Sequence, residues 1–588
     1  MARRGGAVHV ATTRRHYKDR VYETTLLRRS YREGGRVKTE TLGNLSHLPP
    51  ETIELIRRSL KGEMFVPAAQ AAARLGPDGL EISRSLPHGH VAAAAAMATR
   101  LGLVDLIGPP CRERDIVVGL VLARGCKPGS KLAATRWWAD TTVGSDLGLL
   151  DASTDEVYAA MDWLLARQQP IQAGLAARHL APGGRVLFDL SSSWLEGWAC
   201  PLAKPGHSRD GKRGKPQIEY GIIADPQGRP VGVEVFAGNT GDPTAFIAAV
   251  TTVRERFGHT EVTFVGDRGM ITTARITALR QLPGASWITA LRAPQIKALV
   301  EAGAVQPSLF DQANLAEISH PDYPGERLVV CRNPALAAQR ARKRAALLAA
   351  TEDALATLAA TVAAGRLKDH TKIALRAGRI LAKHKMAKHF DLHVGQGTIS
   401  FTRRTERIQA EAATDGIYVI RTPLPHTAMA ATEVVGVYKS LAEVEADFRS
   451  WKAIDLQLRP IYHWTEPRVR AHLLLCLLAG YLTWHLRRAL APITFTDTDR
   501  PGPDRPDPVA AAQPSPSAKA KAAHKQAPDG QPVHSYHSLL EHLATLTRNT
   551  CHIAGTPANA GFDKLAQPTP TQRQAFKLIG AKIPLRLL

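Results

Sequence analysis

Three acidic residues stand at positions where they could together hold a metal ion. Asp189 ends the apolar run 186–188, Asp267 follows the run 262–265, and Glu445 lies far downstream in segment 438–452. Carboxylate oxygens suit hard divalent cations such as Mg²⁺, and clustered negative charge is tolerable when a cation neutralises it. We therefore predict that the three side chains converge on a metal site for phosphoryl-transfer chemistry on nucleic acid.

The charge of the chain predicts a polyanionic partner. Lys and Arg total 76 against 53 Asp and Glu, a formal net charge of +23 over 588 residues. Each phosphate that Lys or Arg neutralises on duplex DNA releases counterions, which gives a log-log salt slope of about 0.9 per contact. Nucleic acid is therefore favoured over the alternative of a cationic protein without such a partner.

Cysteine usage and apolar runs indicate a cytoplasmic protein without a membrane partner. The six cysteines include no C-x-x-C pair, so neither a zinc ribbon nor a disulfide framework is predicted. No apolar stretch follows the basic residues Arg3 and Arg4, so a secretory signal is not expected. The longest apolar run, 473–484, is shorter than the roughly 18 residues of a membrane span. It predicts a buried helix.

The order of strand-like and helix-like segments between 185 and 291 predicts an α/β core. Three strand-like runs are followed by a helix, a strand, a helix and a strand, at 185–190, 219–224, 231–236, 242–257, 261–265, 271–282 and 286–291. This order resembles a ribonuclease H-like core, in which the first acid ends the first strand and the second follows the fourth. Asp225 and Asp242 are competing acids, but a turn and a helix N-cap explain them sufficiently.

The remaining segments surround this core. A basic β-hairpin with its turn at 33–35 could lie on DNA or be a solvated face, and an Ala-rich insertion carries histidines His384, His389 and His393, which we expect to be solvated. The predicted divisions are 1–60, basic hairpin region; 61–180, helical DNA-binding region; 181–293, first part of the core; 294–414, partly helical and basic insertion; 415–492, second part with the glutamate helix; 493–535, disordered linker; 536–588, tail.

Segment 437–452 predicts one amphipathic helix that presents Glu445. Apolar residues recur at spacings of three, four and three, at Leu441, Val444, Phe448 and Trp451. Tyr438, Glu445 and Lys452 are seven residues apart, so they drift by only about 20° per step and form one row. A phenol and an ammonium would then flank the acid where DNA phosphates pass. The alternative is an ordinary surface helix.

This segment also resembles a known family. The pattern Tyr-x2-Arg-x3-Glu-x6-Lys marks DDE transposases of the insertion-sequence-four superfamily, and here it reads Tyr438-x2-Leu441-x3-Glu445-x6-Lys452. Leu441 replaces the usual Arg, and Lys439 and Arg449 are the candidates to substitute for it. Further blocks make the sixteen-thirty-four group the most similar, at 207–211, 215–217, 238–240, 266–270, 287–292, 459–463 and 468–472.

The resemblance implies a two-metal displacement that uses Mg²⁺, with Mn²⁺ as a substitute. Asp189 would bridge both ions, and Asp267 and Glu445 would each complete one shell, while Tyr438 and Lys452 hold phosphates. Water would cut the element's end and the freed 3′-hydroxyl would attack target DNA. The implied partners are duplex DNA, as terminal inverted repeats and target, and a second copy of the chain, in a bacterial cytoplasm in association with the nucleoid.

Two alternatives remain open from the sequence. A ribonuclease H-like nuclease would need the same acids without strand transfer. A catalytically inactive derivative would keep only DNA binding, although intact acids at all three positions argue against it.

Overall fold

The computed structural model describes residues 7–17, 20–33, 36–63, 65, 80–499, 507–527, 529–553 and 561–587. It divides into two compact units, Met1–Ser85 with Asn549–Lys564, and Leu86–Arg548 with Leu565–Leu588. In chain order the strands are β1 Ala7–Tyr17, β2 Arg20–Glu33, β3 Arg36–Asn44, β4 Leu80–Pro87, β5 Arg185–Trp194, β6 Gln217–Ala224, β7 Pro230–Ala237, β8 Val262–Val265, β9 Ala285–Ala290, β10 Leu315–Ile318, β11 Arg327–Arg332, β12 Phe390–Gly395, β13 Thr398–Arg403, β14 Ile417–Thr422, β15 Thr547–Ile553 and β16 Phe562–Leu565.

The α-helices of the described residues are α1 Pro50–Leu60, α2 Gly89–Arg100, α3 Leu103–Ile107, α4 Arg112–Cys126, α5 Lys131–Ala139, α6 Thr142–Asp146, α7 Thr154–Leu165, α8 Gln168–His179, α9 Asp242–Thr251, α10 Thr273–Arg280, α11 Ala293–Glu301, α12 Pro334–Ala363, α13 His370–His384, α14 Thr405–Ala412, α15 Ala431–Lys439, α16 Leu441–Arg449, α17 Glu466–Ala489, α18 Pro516–His524, α19 Tyr536–Ala544 and α20 Pro570–Ile579. Single π-helical turns follow α9, at Thr252–Arg256, and α16, at Ser450–Ile454.

The first unit is built from antiparallel strands. β1, β2 and β3 form one sheet in that order, so the arms of the expected hairpin are present as β2 and β3. A smaller sheet has the order β16–β15–β4. The expected turn at 33–35 lies outside the described residues, except for Glu33 at the end of β2.

An eight-stranded mixed sheet forms the centre of the second unit. Its order is β10–β11–β14–β9–β8–β5–β6–β7, with β5, β8 and β9 parallel and the other neighbours antiparallel. All residues of β6 and β8 are buried, and apart from Gln217, Glu219 and Thr263 these residues are apolar. The predicted order of three strands, helix, strand, helix and strand is present as β5, β6, β7, α9, β8, α10 and β9.

The segment expected to be an insertion, 294–414, is divided between two structures. β10 and β11 extend the central sheet, because buried Leu328, Val329 and Val330 pair with β14. The central sheet therefore includes two strands from the segment expected to interrupt the core. The remainder, α12 to α14, packs around its own apolar cluster, which includes Leu355, Ile373 and Phe390.

One histidine of this insertion differs from the expectation of solvated side chains. His389 is buried, with Nε2 3.1 Å from Glu411 Oε2, whereas His393 is exposed. The long helix α12 begins at Pro334, where the Asn333 side chain accepts a hydrogen bond from the Leu336 amide.

The long helix α17 fills the interior beside the sheet. It packs against α2, α4, α7 and β7, and most of its side chains are buried, which confirms the buried helix predicted from 473–484. α12 and α17 are also long and apolar enough to pass a length and composition test for membrane spans, which buried helices of globular proteins pass as well. In α17, 83% of the qualifying window is buried inside the protein.

The segment expected to be a disordered linker is partly helical. Ser515 caps α18, and the Lys521 ammonium donates to the carbonyls of Ala491, Thr494 and Thr496 at 3.1, 3.3 and 3.2 Å. Polar bonds order this segment, and a search for apolar periodicity does not detect them. The prediction of disorder is wrong for 507–527, while 500–506 and 528 lie outside the described residues.

Candidate active site

Two of the three predicted acids leave neighbouring parallel strands at the same edge of the sheet. In the β5–β8 ladder Leu187 pairs with Val265, so Asp189 and Asp267 each lie two residues beyond one matched pair. Asp189 is partly buried in β5, whereas Asp267 is exposed just after β8. Both carboxylates accept a local backbone hydrogen bond, Asp189 from Leu190 at 2.8 Å and Asp267 from Arg268 at 2.6 Å.

Glu445 reaches this edge on a helix that differs from the predicted one. Segment 437–452 is not a single helix, because α15 ends at Lys439 and α16 begins at Leu441. The Ser440 hydroxyl donates to the Val437 carbonyl at 2.6 Å, a competing bond typical of a helix end. The predicted apolar face is present beyond the break, since Val444, Phe448 and Trp451 are buried and α16 packs against β5.

The three acids line one pocket of about 550 Å³. Burial raises the pKa of Asp189 to about 6, and the charges of Asp267 and Glu445 raise it further, against the lowering effect of the Leu190 amide and Arg209. The Glu445 side chain is 63% exposed. The acids therefore act on one another electrostatically within a single pocket.

The three carboxylates are suitable ligands for a divalent cation, although their side chains are not arranged as a complete coordination shell. Across the described residues, no three His, Cys, Asp or Glu side chains are positioned to hold one metal ion. The donors are nevertheless carboxylate oxygens whose mutual repulsion a hard cation would relieve. Glu445 is largely exposed, so little packing opposes a change in the orientation of its side chain.

The four predicted DNA contacts have different environments. Burial raises the pKa of Tyr438 to about 12, with smaller contributions from Asp267, Asp189 and Glu445, so this phenol is near the acids and stays protonated at neutral pH. Arg449 Nη1 lies 4.0 Å from Glu445 Oε2 and is exposed. Lys452 lines the same pocket, where its ammonium donates to Asp210 Oδ1 at 2.8 Å.

Lys439 differs from its predicted role. Its ammonium donates to the carbonyls of Pro508, Val509 and Ala510 at 2.6, 2.7 and 3.2 Å. An ammonium has three donors, so these bonds occupy it fully. The structure thus uses Lys439 to hold the segment after 507, a role that no local sequence pattern signals.

Asp242 also differs from its expected structural role, whereas Asp225 does not. Gly241 is the N-cap of α9, and Asp242 is the first helical residue, without a side-chain cap bond. Its Oδ1 accepts from Arg209 at 2.7 Å, and its side chain lines the pocket of the three acids. Asp225 holds the predicted turn, since its Oδ1 accepts from the amides of Gln227 and Arg229.

A charged network that the sequence analysis did not assign completes the pocket. Arg209 Nη1 donates to Glu219 Oε2 at 3.0 Å, and Asp210 accepts from both Lys452 and Arg459. Arg209, Asp210 and Arg459 all lie within blocks that carried the family resemblance, at 207–211 and 459–463. Those blocks were the available signal, but the pairing between them is a tertiary contact.

Comparisons with known proteins give two matching family models. The model of the IS1634 family transposase N-terminal domain matches residues 10–70, and the transposase DDE domain model matches 197–482, a range that contains Asp267 and Glu445 but begins after Asp189. No curated protein matches the chain. Among solved structures, a cryo-EM structure of a piggyBac transposase synaptic complex with hairpin DNA is similar at 8% identity, covering 74% of this chain and 71% of that one, with a TM-score of 0.35.

Proposed function

Because the chain belongs to the IS1634 group of DDE transposases, we propose that Asp189, Asp267 and Glu445 are its metal-binding catalytic residues. The enzyme is a DNA transposase. In this proposal it cuts DNA at the ends of an insertion sequence and joins the freed 3′-hydroxyl to target DNA. A bound pair of Mg²⁺ ions, or Mn²⁺ in their place, would supply charge neutralisation and activation of the attacking oxygen.

One observation carries the assignment of the acids. Asp189 and Asp267 lie two residues beyond the same matched pair of β5 and β8, and Glu445 lines the same pocket. The strand order β7–β6–β5–β8–β9, with β6 antiparallel to both neighbours and β5, β8 and β9 parallel, supports a ribonuclease H-like core. Three carboxylates from separate elements in one pocket are a costly arrangement unless a cation neutralises them.

The chain's own groups have distinct roles in this proposal. Asp189, which is partly buried, would hold the metal ions together with Asp267 and Glu445. The Tyr438 phenol, protonated at neutral pH, would donate a hydrogen bond to a phosphate oxygen, and the Lys452 ammonium would pair with its charge. Arg449, exposed beside Glu445, would contact the backbone further from the reacting bond.

A stripe of cations on α13 supports contact between the insertion and the DNA backbone. The stripe consists of Lys372, Arg376, Arg379 and Lys383, all exposed, on the helix whose Ile373, Ala377 and Leu381 are buried. Their spacings of four, three and four keep the side chains within about 60° around the axis over roughly 16 Å. Within the described part of the chain none of the four forms an ion pair, so their charge is available to phosphates.

The finer partners belong to the same proposal. The duplexes would be the terminal inverted repeats and the target, bound by a homodimer on paired ends, in a bacterial cytoplasm in association with the nucleoid. In this proposal the seven predicted segments are the functional divisions, and the hairpin and helical regions are the DNA-binding parts. Two divisions change: the strands within 315–332 belong to the central sheet, and 507–527 is ordered.

The test is a reaction of the purified protein with a duplex copied from the DNA that bounds the coding sequence. With Mg²⁺ or Mn²⁺, wild type should cleave the duplex and join it to a plasmid, and Glu445→Gln should lower cleavage by about 10³-fold or more because a metal ligand is lost. Glu406→Gln, at an exposed glutamate on α14, is the matched control and should cleave normally.

The outcomes separate the proposal from its alternatives. Equal cleavage by wild type and Glu445→Gln would remove the assignment of the acids. Cleavage without joined products would instead favour a nuclease, and binding without any cleavage by wild type would favour an inactive DNA-binding derivative.

A further inference from the structure

The pocket of the three acids contains a pair of cations that share one carboxylate. Lys452 Nζ and Arg459 Nη1 both donate to the same oxygen, Asp210 Oδ1, and Asp210 is only 1% exposed. The third cation of this network, Arg209, is already balanced by Asp242 at 2.7 Å and also donates to Glu219 at 3.0 Å. Two positive charges on one negative charge leave an excess of one.

That excess charge lies where solvent compensates it poorly. The side chains of Lys452 and Arg459 are 10% and 23% exposed. Partly buried charge is costly unless a partner of opposite sign neutralises it. Among the described residues Asp210 is the only hydrogen-bond acceptor of either cation, although a guanidinium offers five donors. The pair therefore has both the charge and the open donors to bind an anion.

The position of each cation is fixed by the backbone that carries it. Arg459 lies 5.1 Å from the centroid of the Trp194 ring, and the Ile461 amide donates to the Trp194 carbonyl at 3.1 Å. Lys452 lies in the π-helical turn after α16, and the chain beyond this turn is held where Arg124 donates to the Leu456 carbonyl at 3.0 Å. Such a pair loses little conformational entropy when it binds a ligand.

We propose that Arg459, together with Lys452, binds one backbone phosphate beside the scissile bond, and that Asp210 is the positioning residue that holds the two cations side by side. The inference rests on the proposed function, because the phosphate must belong to DNA whose reacting bond lies at Asp189, Asp267 and Glu445. The planar guanidinium is suited to two parallel hydrogen bonds with one phosphate, which a lysine cannot reproduce. Asp210 acts through the cations and touches no substrate.

The test is a double-mutant cycle between Arg459 and single phosphates. Duplexes copied from the DNA that bounds the coding sequence carry one neutral methylphosphonate at successive positions, and affinity is measured in EDTA, which stops cleavage. On unmodified DNA, Arg459→Ala should bind about 10- to 100-fold more weakly, and its salt slope should be lower by about 0.9. At one methylphosphonate near the cleaved bond, wild type and Arg459→Ala should bind equally.

Further variants separate positioning from a general structural effect. Arg459→Lys should keep the salt slope of wild type but bind the duplex with lower affinity. If Arg459→Ala fails to fold, Arg459→Lys replaces it in the double-mutant cycle. Asp210→Asn should weaken the coupling to the same phosphate, and Asp210→Glu should restore part of it. Arg573→Ala, at an exposed arginine of α20, is the matched control and should behave as wild type at every position.

Each outcome decides between the two proposals. If the loss of affinity from Arg459→Ala and the loss from a methylphosphonate were additive at every position, the phosphate contact would be overturned. Cleavage by wild type would in that case leave the proposed function intact. A wild-type protein that neither binds nor cleaves the duplex would overturn both.

Discussion

A buried glutamate in contact with Arg209 should make the stability of the core depend on pH. Glu219 is 3% exposed, and burial raises its pKa to about 7, with Asp242 adding to the shift and Arg209 opposing it. Between about 4.5 and 7 the folded protein keeps a proton that the unfolded chain has released. The stabilising contribution of protonated Glu219 is therefore lost as pH rises through this window.

The variant Glu219→Gln should remove this dependence. Because the amide cannot ionise, the free energy of unfolding of the variant should rise relative to wild type by up to about 3 kcal/mol between pH 4.5 and 7.5. Urea titrations followed by tryptophan fluorescence at several pH values measure the difference. A difference that stays constant over this range would show that Glu219 is ionised throughout.

Lys439 should behave as a structural residue and not as a DNA contact. The variant Lys439→Met removes the three hydrogen bonds from this ammonium to the carbonyls of 508–510. We expect faster proteolysis near 508–510 and an unchanged salt slope for DNA binding. A slope lower by about 0.9 would instead restore the phosphate contact predicted from the sequence.

The convergence of the acids on one pocket could be predicted from the sequence because their signals are local. Asp189 and Asp267 each end an apolar run, and a strand's direction then fixes where the side chain emerges. Asp210 and Arg459 carry no such signal. Their ion pair joins residues 249 positions apart, so only the folded chain reveals it.

At the scale of elements, apolar periodicity predicts which face of a helix is buried but not where the helix breaks. Val444, Phe448 and Trp451 are buried as predicted. The same spacing includes Leu441, immediately after Ser440, so the pattern continues across the boundary between α15 and α16. The hydrogen bond from the Ser440 hydroxyl to the Val437 carbonyl marks this boundary. Its energetic effect is too local to alter the spacing of the apolar residues.

The cationic stripe of α13 provides a test of DNA contact by a whole helix face. Lys372→Gln with Arg376→Gln removes two charges four residues apart, and the salt slope for duplex binding should fall by about 1.8 because two phosphate contacts are lost. Arg573→Gln with Lys577→Gln is the matched control, since it removes the same two residue types at the same spacing from the exposed face of α20. Fluorescence anisotropy over a range of salt concentrations measures both slopes. Equal slopes for the two double variants would exclude α13 as a DNA-binding face.

At the scale of the whole molecule, the sequence predicts the order of the core elements but not how many strands the central sheet contains. β10 and β11 are short and separated from the core strands by α11 and turns, so their periodicity does not tell whether they pair with β14 or with each other alone. The ordered part of 507–527 is missed for a related reason. Its hydrogen bonds reach α15 and the chain after α17, and buried Val509 joins the apolar core, contacts that composition alone does not predict.

The last prediction concerns the assembly. If two ends react together in a homodimer, joining both ends of one element requires an active site in each of two chains. We expect mixtures of equal amounts of wild type and Glu445→Gln, allowed to exchange before DNA is added, to yield roughly one quarter of the two-end product of wild type, the share of dimers with two active chains.

A plasmid carrying both ends is the substrate, and the joined products are resolved on an agarose gel. Wild type mixed with Glu406→Gln controls for dilution and should give full product. A yield near one half would instead indicate that each chain works alone, because product would then follow the fraction of active monomers. Complexes with DNA that contain a single 63.6 kDa chain and cut at the same rate would lead to the same conclusion, since pairing of ends would then add nothing to catalysis.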